Sequence, residues 1–196
     1  GSFDLSYLRC VPGMVIMAPK DDDELRDMTL TGVEYRKGPI AMRYPRGSGK
    51  GVTPGHTPRV LPIGVAEVMA RGSRVALVGI GRMANEAAKV AALVEKDLGF
   101  APTVVNARFA KPLDENLLVE LGTTHELVVT LEDNSAVGGF GSGVLELLNA
   151  RRAKARVEII GLPDRFVEHG EPNQLYEEVG LMPAQIAERV KAALVH

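Results

Sequence analysis

The sequence predicts an α/β fold in which a parallel or mixed sheet is flanked by helices. Short runs such as Met14-Val15-Ile16-Met17 and Val75-Ala76-Leu77-Val78 are β-rich and apolar on both faces, the mark of strands buried in a parallel sheet. Helical patterns alternate with these runs, and such alternation argues for right-handed crossovers. Aromatic residues make up only 5% of the chain and Trp is absent, so the core must be aliphatic.

The elements follow in order. After the apolar run at Met14–Met17, Asp21-Asp22-Asp23-Glu24 sets acids at the start of a helix, where the helix dipole favours them; the helix is expected over Asp22–Glu34. A buried strand is expected at Ile40–Arg43. Residues from Gly47 to Pro62 lose all apolar periodicity and are rich in Gly, Ser, Pro and Thr, which reads as a linker between two units. The pattern resumes with an entry strand at Leu61–Ala66. A strand at Val75–Ile80, a helix at Met83–Leu98 and a strand at Thr103–Asn106 come next. A helical turn at Asp114–Leu121, a strand at Leu127–Leu131 and a helix at Ser142–Ala153 follow. A strand at Val157–Leu162 and a helix at Pro183–Val195 complete the series.

With 196 residues the chain has room for one large domain, or for a fragment plus a domain. A formal net charge of −2 gives no bulk attraction to nucleic acid or to an anionic membrane. No apolar run approaches the ~18 residues that cross a bilayer. The one cysteine, Cys10, excludes an intrachain disulfide and suits a reducing compartment; it reads as a packing residue. A cytoplasmic, bacterial setting is expected, with a plastid as the alternative. No signal-peptide pattern is present at the first residues, Gly1-Ser2, which lack a Met and so carry no reading of targeting.

Arg43-Tyr44-Pro45-Arg46-Gly47 is the chief candidate site. Arg stays charged, and its planar fork matches phosphate or carboxylate. Pro45 fixes its own φ and biases Tyr44 toward extended geometry, which aims the second Arg. The alternative is that both arginines are solvated or pair with nearby acids. Gly79-Ile80-Gly81-Arg82-Met83-Ala84 fits a loose dinucleotide fingerprint. A ribose-binding acid should then end the next strand, but Asn106 stands there, so a tight strand-to-helix turn explains the glycines as well. Gly138-Gly139-Phe140-Gly141-Ser142-Gly143 opens a helix and either cradles an anion or permits close packing. Just before it, Glu132-Asp133-Asn134 ends a buried strand, a place where open α/β sheets bind ligands. His169, among Asp164, Arg165 and Glu168, is either an acid–base group or part of a hydrogen-bonded structural loop.

Several segments together resemble the 1-deoxy-D-xylulose-5-phosphate synthase family. They are Phe3-Asp4-Leu5-Ser6-Tyr7-Leu8-Arg9-Cys10, Met14–Pro19, Arg43–Gly47, Lys111-Pro112-Leu113-Asp114, Leu131–Asn134, Gly138–Ser142 and Asp164–Gly170, in the family's order. The resemblance implies an enzyme that condenses pyruvate with D-glyceraldehyde 3-phosphate, using thiamine diphosphate and Mg²⁺, in a pathway toward isoprenoids, thiamine and pyridoxal. It implies a thiamine-diphosphate-enzyme fold and a homodimer. Residues 1–49 would be the C-terminal part of the pyrimidine-binding domain, 50–60 a linker, and 61–196 a transketolase C-terminal-like domain. The motifs that bind the cofactor and metal would lie outside this chain, in the remaining N-terminal part of the same enzyme. Of the family's substrate-binding groups, Arg46 would hold the acceptor phosphate, and Arg43 is the weaker candidate with structural pairing as its alternative. The other readings are a different transketolase-like enzyme (transketolase itself or a 2-oxoacid dehydrogenase β-subunit) and a non-catalytic dimerisation or regulatory domain.

Overall fold

In the computed structural model, residues 2–45, 49, 51–167, 170 and 172–195 are described. The chain runs α1 (Asp4–Arg9), β1 (Val15–Met17), α2 (Asp22–Glu34), β2 (Ile40–Met42), β3 (Glu67–Ala70), β4 (Val75–Gly79) and α3 (Met83–Leu98). It continues through β5 (Thr103–Asn106), β6 (Phe109–Lys111), α4 (Glu115–Thr124), β7 (Leu127–Ser135), α5 (Phe140–Ala150), β8 (Arg156–Leu162), α6 (Pro172–Glu178) and α7 (Pro183–Val195). Two sheets result. The larger has the order β3-β5-β4-β7-β8, parallel except for the antiparallel edge strand β3. The smaller has the order β2-β1-β6, with β1 and β2 parallel and β6 antiparallel.

Strand alternation sorts the core. Val75 and Leu77 of β4 face α3 and α7, packing with Met83, Val90, Ile186 and Val190. Ala76 and Val78 face the other way, into a cluster with Leu118, Phe140 and Val144 from α4 and α5. That second cluster also takes Leu5 of α1 and Ile16 of β1, so the first unit is packed against the sheet of the second. Val15 and Met17 point to the opposite face of the small sheet and pack with Met28, Leu61 and Phe109.

Some elements differ from the sequence reading. Leu61–Ala66 is not a strand, and pairing begins only at Glu67. The amides there are taken elsewhere: Leu61 N donates to Thr31 Oγ1 at 2.8 Å and Ala66 N to Asp114 Oδ2 at 2.9 Å. Pro62 has no amide to give. The helix read at Ser142–Ala153 starts two residues earlier at Phe140 and stops at Ala150. β7 runs on from Leu131 to Ser135, every residue buried. The strand read as buried, β2, is a half-buried edge. Helices α1 and α6 and strand β6 are additions. A helix of six residues such as α1 does not hold by propensity; buried Leu5 and the Leu5 N bond to Asn134 Oδ1 at 3.2 Å fix it in place. Cys10 is exposed, not packed.

The presumed linker is not a free tether. One face of α2 offers Asp22, Asp23, Asp27 and Thr31 at helical spacing, and the chain after the first unit is bonded along it. Gly51 N donates to Asp22 at 2.9 Å, and Thr53 donates to Asp23 through both its amide (2.9 Å) and its hydroxyl (2.5 Å). His56 Nε2 lies 2.9 Å from Asp27 Oδ1, which also accepts from Arg59 N at 3.0 Å. Losing a buried acceptor that serves several donors costs about 1–3 kcal/mol. Asp27→Ala is therefore expected to leave helix content intact but to speed limited proteolysis between residues 51 and 61. An unchanged cleavage rate would show that Asp27 does not fasten this segment.

Candidate functional site

The C-terminal ends of β2, β4 and β7 converge on one cluster of charge. Arg43 directly follows β2 and is hung from the neighbouring strand, its amide donating to Met17 O at 2.8 Å. Its guanidinium is paired with the Asp133 carboxylate, donates to Asp133 O at 2.8 Å, and lies 3.5 Å from Asp4 Oδ1. Side-chain exposure is only 11% for Arg43 and 5% for Asp133. Tyr176 donates its hydroxyl to Asp133 Oδ2 at 3.4 Å, and the Arg82 guanidinium stacks 4.3 Å over the Tyr176 ring. Burial is the main cause that pushes the Tyr176 hydroxyl pKa up, with Asp133 adding to it. Arg46 and Gly47 lie outside the described residues, as do Glu168 and His169. Asp133 stood in the sequence as a strand-end acid, but nothing local announced that an arginine 90 positions away would claim it.

The glycine-rich loop before α5 is packed around a carboxyl group that the chain itself supplies. Glu132, fully buried, accepts from Phe140 N and Gly141 N, each at 2.8 Å, and from Asn134 Nδ2 at 3.2 Å. A side chain on Gly139 would run into this carboxylate, and one on Gly141 into Thr130 and Ile159. Both glycines thus serve close packing, the second of the two sequence readings. Arg9 closes the loop from outside, donating to Gly138 O at 2.7 Å, Gly139 O at 2.6 Å and Glu146 at 2.8 Å.

The crevice beside Gly79-Ile80-Gly81 is also filled from within. Asn106, at the end of β5, donates to Glu24 Oε1 at 2.9 Å and Oε2 at 3.0 Å. Glu24 comes from α2 of the first unit and is 3% exposed. Lys20 Nζ sits 2.9 Å from Glu67 and 3.7 Å from Glu24. Burial pulls the Lys20 pKa down, but Glu24, Glu67 and Asp21 together outweigh it and hold the ammonium above its ordinary value. Asn85 Nδ2 donates to Lys20 O at 2.6 Å, and a Cβ on Gly81 would meet Ala18. The glycines make a tight turn, and the place of a dinucleotide is taken by residues 18–24.

Among the described residues, no three His, Cys, Asp or Glu side chains gather as a metal site. The described residues offer no carboxylate cluster suited to Mg²⁺ and a diphosphate. No helix among them is long and apolar enough to cross a membrane. His125 is tied to Thr103 Oγ1 at 2.8 Å, and burial pushes its pKa down.

Burial pushes the Glu132 carboxyl up to about 7, against the pull of the Gly141 and Phe140 amides, Asn134 and Arg9. An acid whose folded pKa is raised favours folding most at low pH, and that contribution is lost as pH rises from about 4.5 to about 7. The loss is at most roughly 3 kcal/mol. Glu132→Gln is expected to cost a near-constant amount for the lost amide partner but to flatten the stability profile across this window. Identical pH slopes in urea unfolding of the two proteins would contradict the assignment.

Residues 1–51 match the family model of the transketolase pyrimidine binding domain, and residues 64–186 match that of the transketolase C-terminal domain. The 1-deoxy-D-xylulose-5-phosphate synthase of Acaryochloris marina is 52% identical over 197 residues, covering 99% of this chain and 31% of its own length. That of Symbiobacterium thermophilum is 48% identical over 198 residues, covering 100% and 30%. The chain thus spans about 31% of the length of the curated relatives it matches. Among solved structures, a split-gene transketolase described as an inactive β4 tetramer aligns with TM-score 0.85 and 32% identity, over 98% of this chain and 61% of its own. A Pichia stipitis transketolase variant aligns with TM-score 0.67 over 96% of this chain and 26% of its own; at 15% identity it bears on the fold alone. The chain belongs to the transketolase family, and the members it resembles are 1-deoxy-D-xylulose-5-phosphate synthases.

Proposed function

We propose that this chain forms part of a thiamine-diphosphate-dependent synthase that condenses pyruvate with D-glyceraldehyde 3-phosphate to 1-deoxy-D-xylulose 5-phosphate and CO₂. The observation that carries the reading is the 52% identity to such a synthase across 99% of the chain. In this reading residues 1–49 end the pyrimidine-binding domain, 50–60 connect, and 61–196 form the third domain. Thiamine diphosphate with Mg²⁺, bound by the rest of the enzyme, supplies the carbanion chemistry. The chain's own residues bind and orient the acceptor. Arg46 takes the acceptor phosphate through charge-assisted hydrogen bonds, remote from the reacting carbon. Arg43, engaged by Asp133 and Asp4, is scaffold at the end of β2.

The likeness to a split-gene transketolase supports a second element of the proposal. This chain self-associates, and it turns over substrate only with a partner that provides the cofactor-binding part. The chain alone, given pyruvate, acceptor, thiamine diphosphate and Mg²⁺, is expected to release no deoxyxylulose phosphate; turnover by the isolated chain would refute this. In the assembled enzyme, Arg46→Ala is expected to raise the acceptor KM roughly tenfold to a hundredfold, since a charged hydrogen bond is worth about 1.5–3 kcal/mol. Affinity for thiamine diphosphate should stay as it was. An unaltered acceptor KM removes Arg46 from the site.

A further inference from the structure

We propose that Glu132 is the pH-sensitive clasp of the junction between the two units: its carboxyl group closes the segment that docks α1 on the larger sheet, and α1 loosens as the pH rises toward neutrality. The side chain ties together both ends of one stretch of chain. It stands in β7 and accepts from Phe140 N and Gly141 N, each at 2.8 Å, at the start of α5. Between those ends, residues 134–139 hold α1. Ser135 N donates to Ser2 O at 2.7 Å, and Leu5 N donates to Asn134 Oδ1 at 3.2 Å. Asn134 Nδ2 donates to Ser6 Oγ at 2.9 Å, and Ser6 Oγ donates to Val137 O at 3.0 Å. Arg9 reaches Gly138 O and Gly139 O. Asn134 joins the two sets of contacts, because its Nδ2 also donates to Glu132 Oε2 at 3.2 Å.

Glu132 is fully buried, and among the described residues no cation is bonded to it. The charged groups on the elements packed around it are engaged elsewhere. On α1, Asp4 lies beside Arg43, and Arg9 serves the loop carbonyls and Glu146 of α5. On β8, Glu158 pairs with Arg189. Asp133, the next residue along β7, pairs with Arg43. Thr130 stands one pleat back on the same strand face, and its hydroxyl has no hydrogen-bond partner among the described residues, so it gives the carboxyl nothing. The histidines His56 and His125 are tied to Asp27 and Thr103, away from this junction. A carboxyl buried without a counter-ion favours its neutral form. Part of that burial comes from α1, whose Leu5 is fully buried in one cluster with Phe140 and Val144 of α5. When α1 lifts away, water reaches the carboxyl and it ionises more readily. The docked state therefore binds the proton more tightly, and protonation favours docking. That contribution fades as pH rises from about 4.5 to about 7, the ordinary and the buried values for this group.

Hydrogen exchange of the Ser135 amide from pH 5 to 8, corrected for the intrinsic pH dependence of exchange, reads the junction directly, with the β4 amides as the reference for global opening. Ser135 is expected to be less protected than β4, because α1 opens without the sheet. Its protection is expected to fall roughly tenfold across the range, the change that one unit of pKa difference between docked and undocked states produces. The fall should follow the titration of the Glu132 carboxyl, read by carbon-13 NMR, and should vanish in Glu132→Gln. The wild-type series decides the matter even where that variant does not fold. Ser135 tracking β4 at every pH would mean that α1 opens only with the whole fold. Protection that stays flat or grows with pH would mean that the charge of Arg9 matches or outweighs the burial that α1 provides. A Glu132 carboxyl titrating in the ordinary range, or a fall that persists in Glu132→Gln, would remove Glu132 as its source. Each of these four results overturns the proposal.

Discussion

Glu24 is a carboxylate from the helix of one unit, buried in the crevice of another unit's sheet. Its partners there are Arg108 and Asn106, and its helix carries the acidic stripe that fastens residues 51–59. Removing one member of a buried ion pair costs about 3–5 kcal/mol, because the other charge is left without compensation. That penalty makes the contact a constraint on geometry more than a source of stability. It sets where β1 ends, β1 sets where Arg43 hangs, and Arg43 meets Asp133 at the end of β7.

The same logic recurs across the sheet. Three strand ends among the described residues are occupied by the chain's own groups. Residues 18–24 fill the crevice at β4 and β5, and Glu132 neutralises the first turn of α5. Arg43 answers Asp133.

Much of this was legible in the sequence, for identifiable reasons. Val75–Val78 and Leu127–Leu131 are continuous apolar or β-favouring runs, as a strand buried on both faces must be, whereas the polar extension of β7 to Ser135 carried no such mark. The acids at Asp21–Glu24 announced the helix that Asp21 caps. The failures were of another kind. α1 and β6 are too short to carry a period, and exist because Leu5 and Phe109 are buried by distant residues. Leu61–Ala66 looked apolar enough for a strand, but its amides are claimed by Thr31 and Asp114. At the site, Arg43 was visible as chemistry; Asp133, Tyr176 and Arg82 were not visible as its surroundings, since pairing at long sequence separation leaves no local mark.

The two units form one docked body through the crevice contact. Hydrogen exchange of the Ala18 and Arg43 amides in the intact chain tests it most directly. Both amides donate across elements, to Arg108 O and to Met17 O. Protection comparable to that of the buried β4 amides, falling for Ala18 and Arg43 together in Glu24→Gln, is the predicted result. Rapid exchange at both while β4 remains protected would contradict the account.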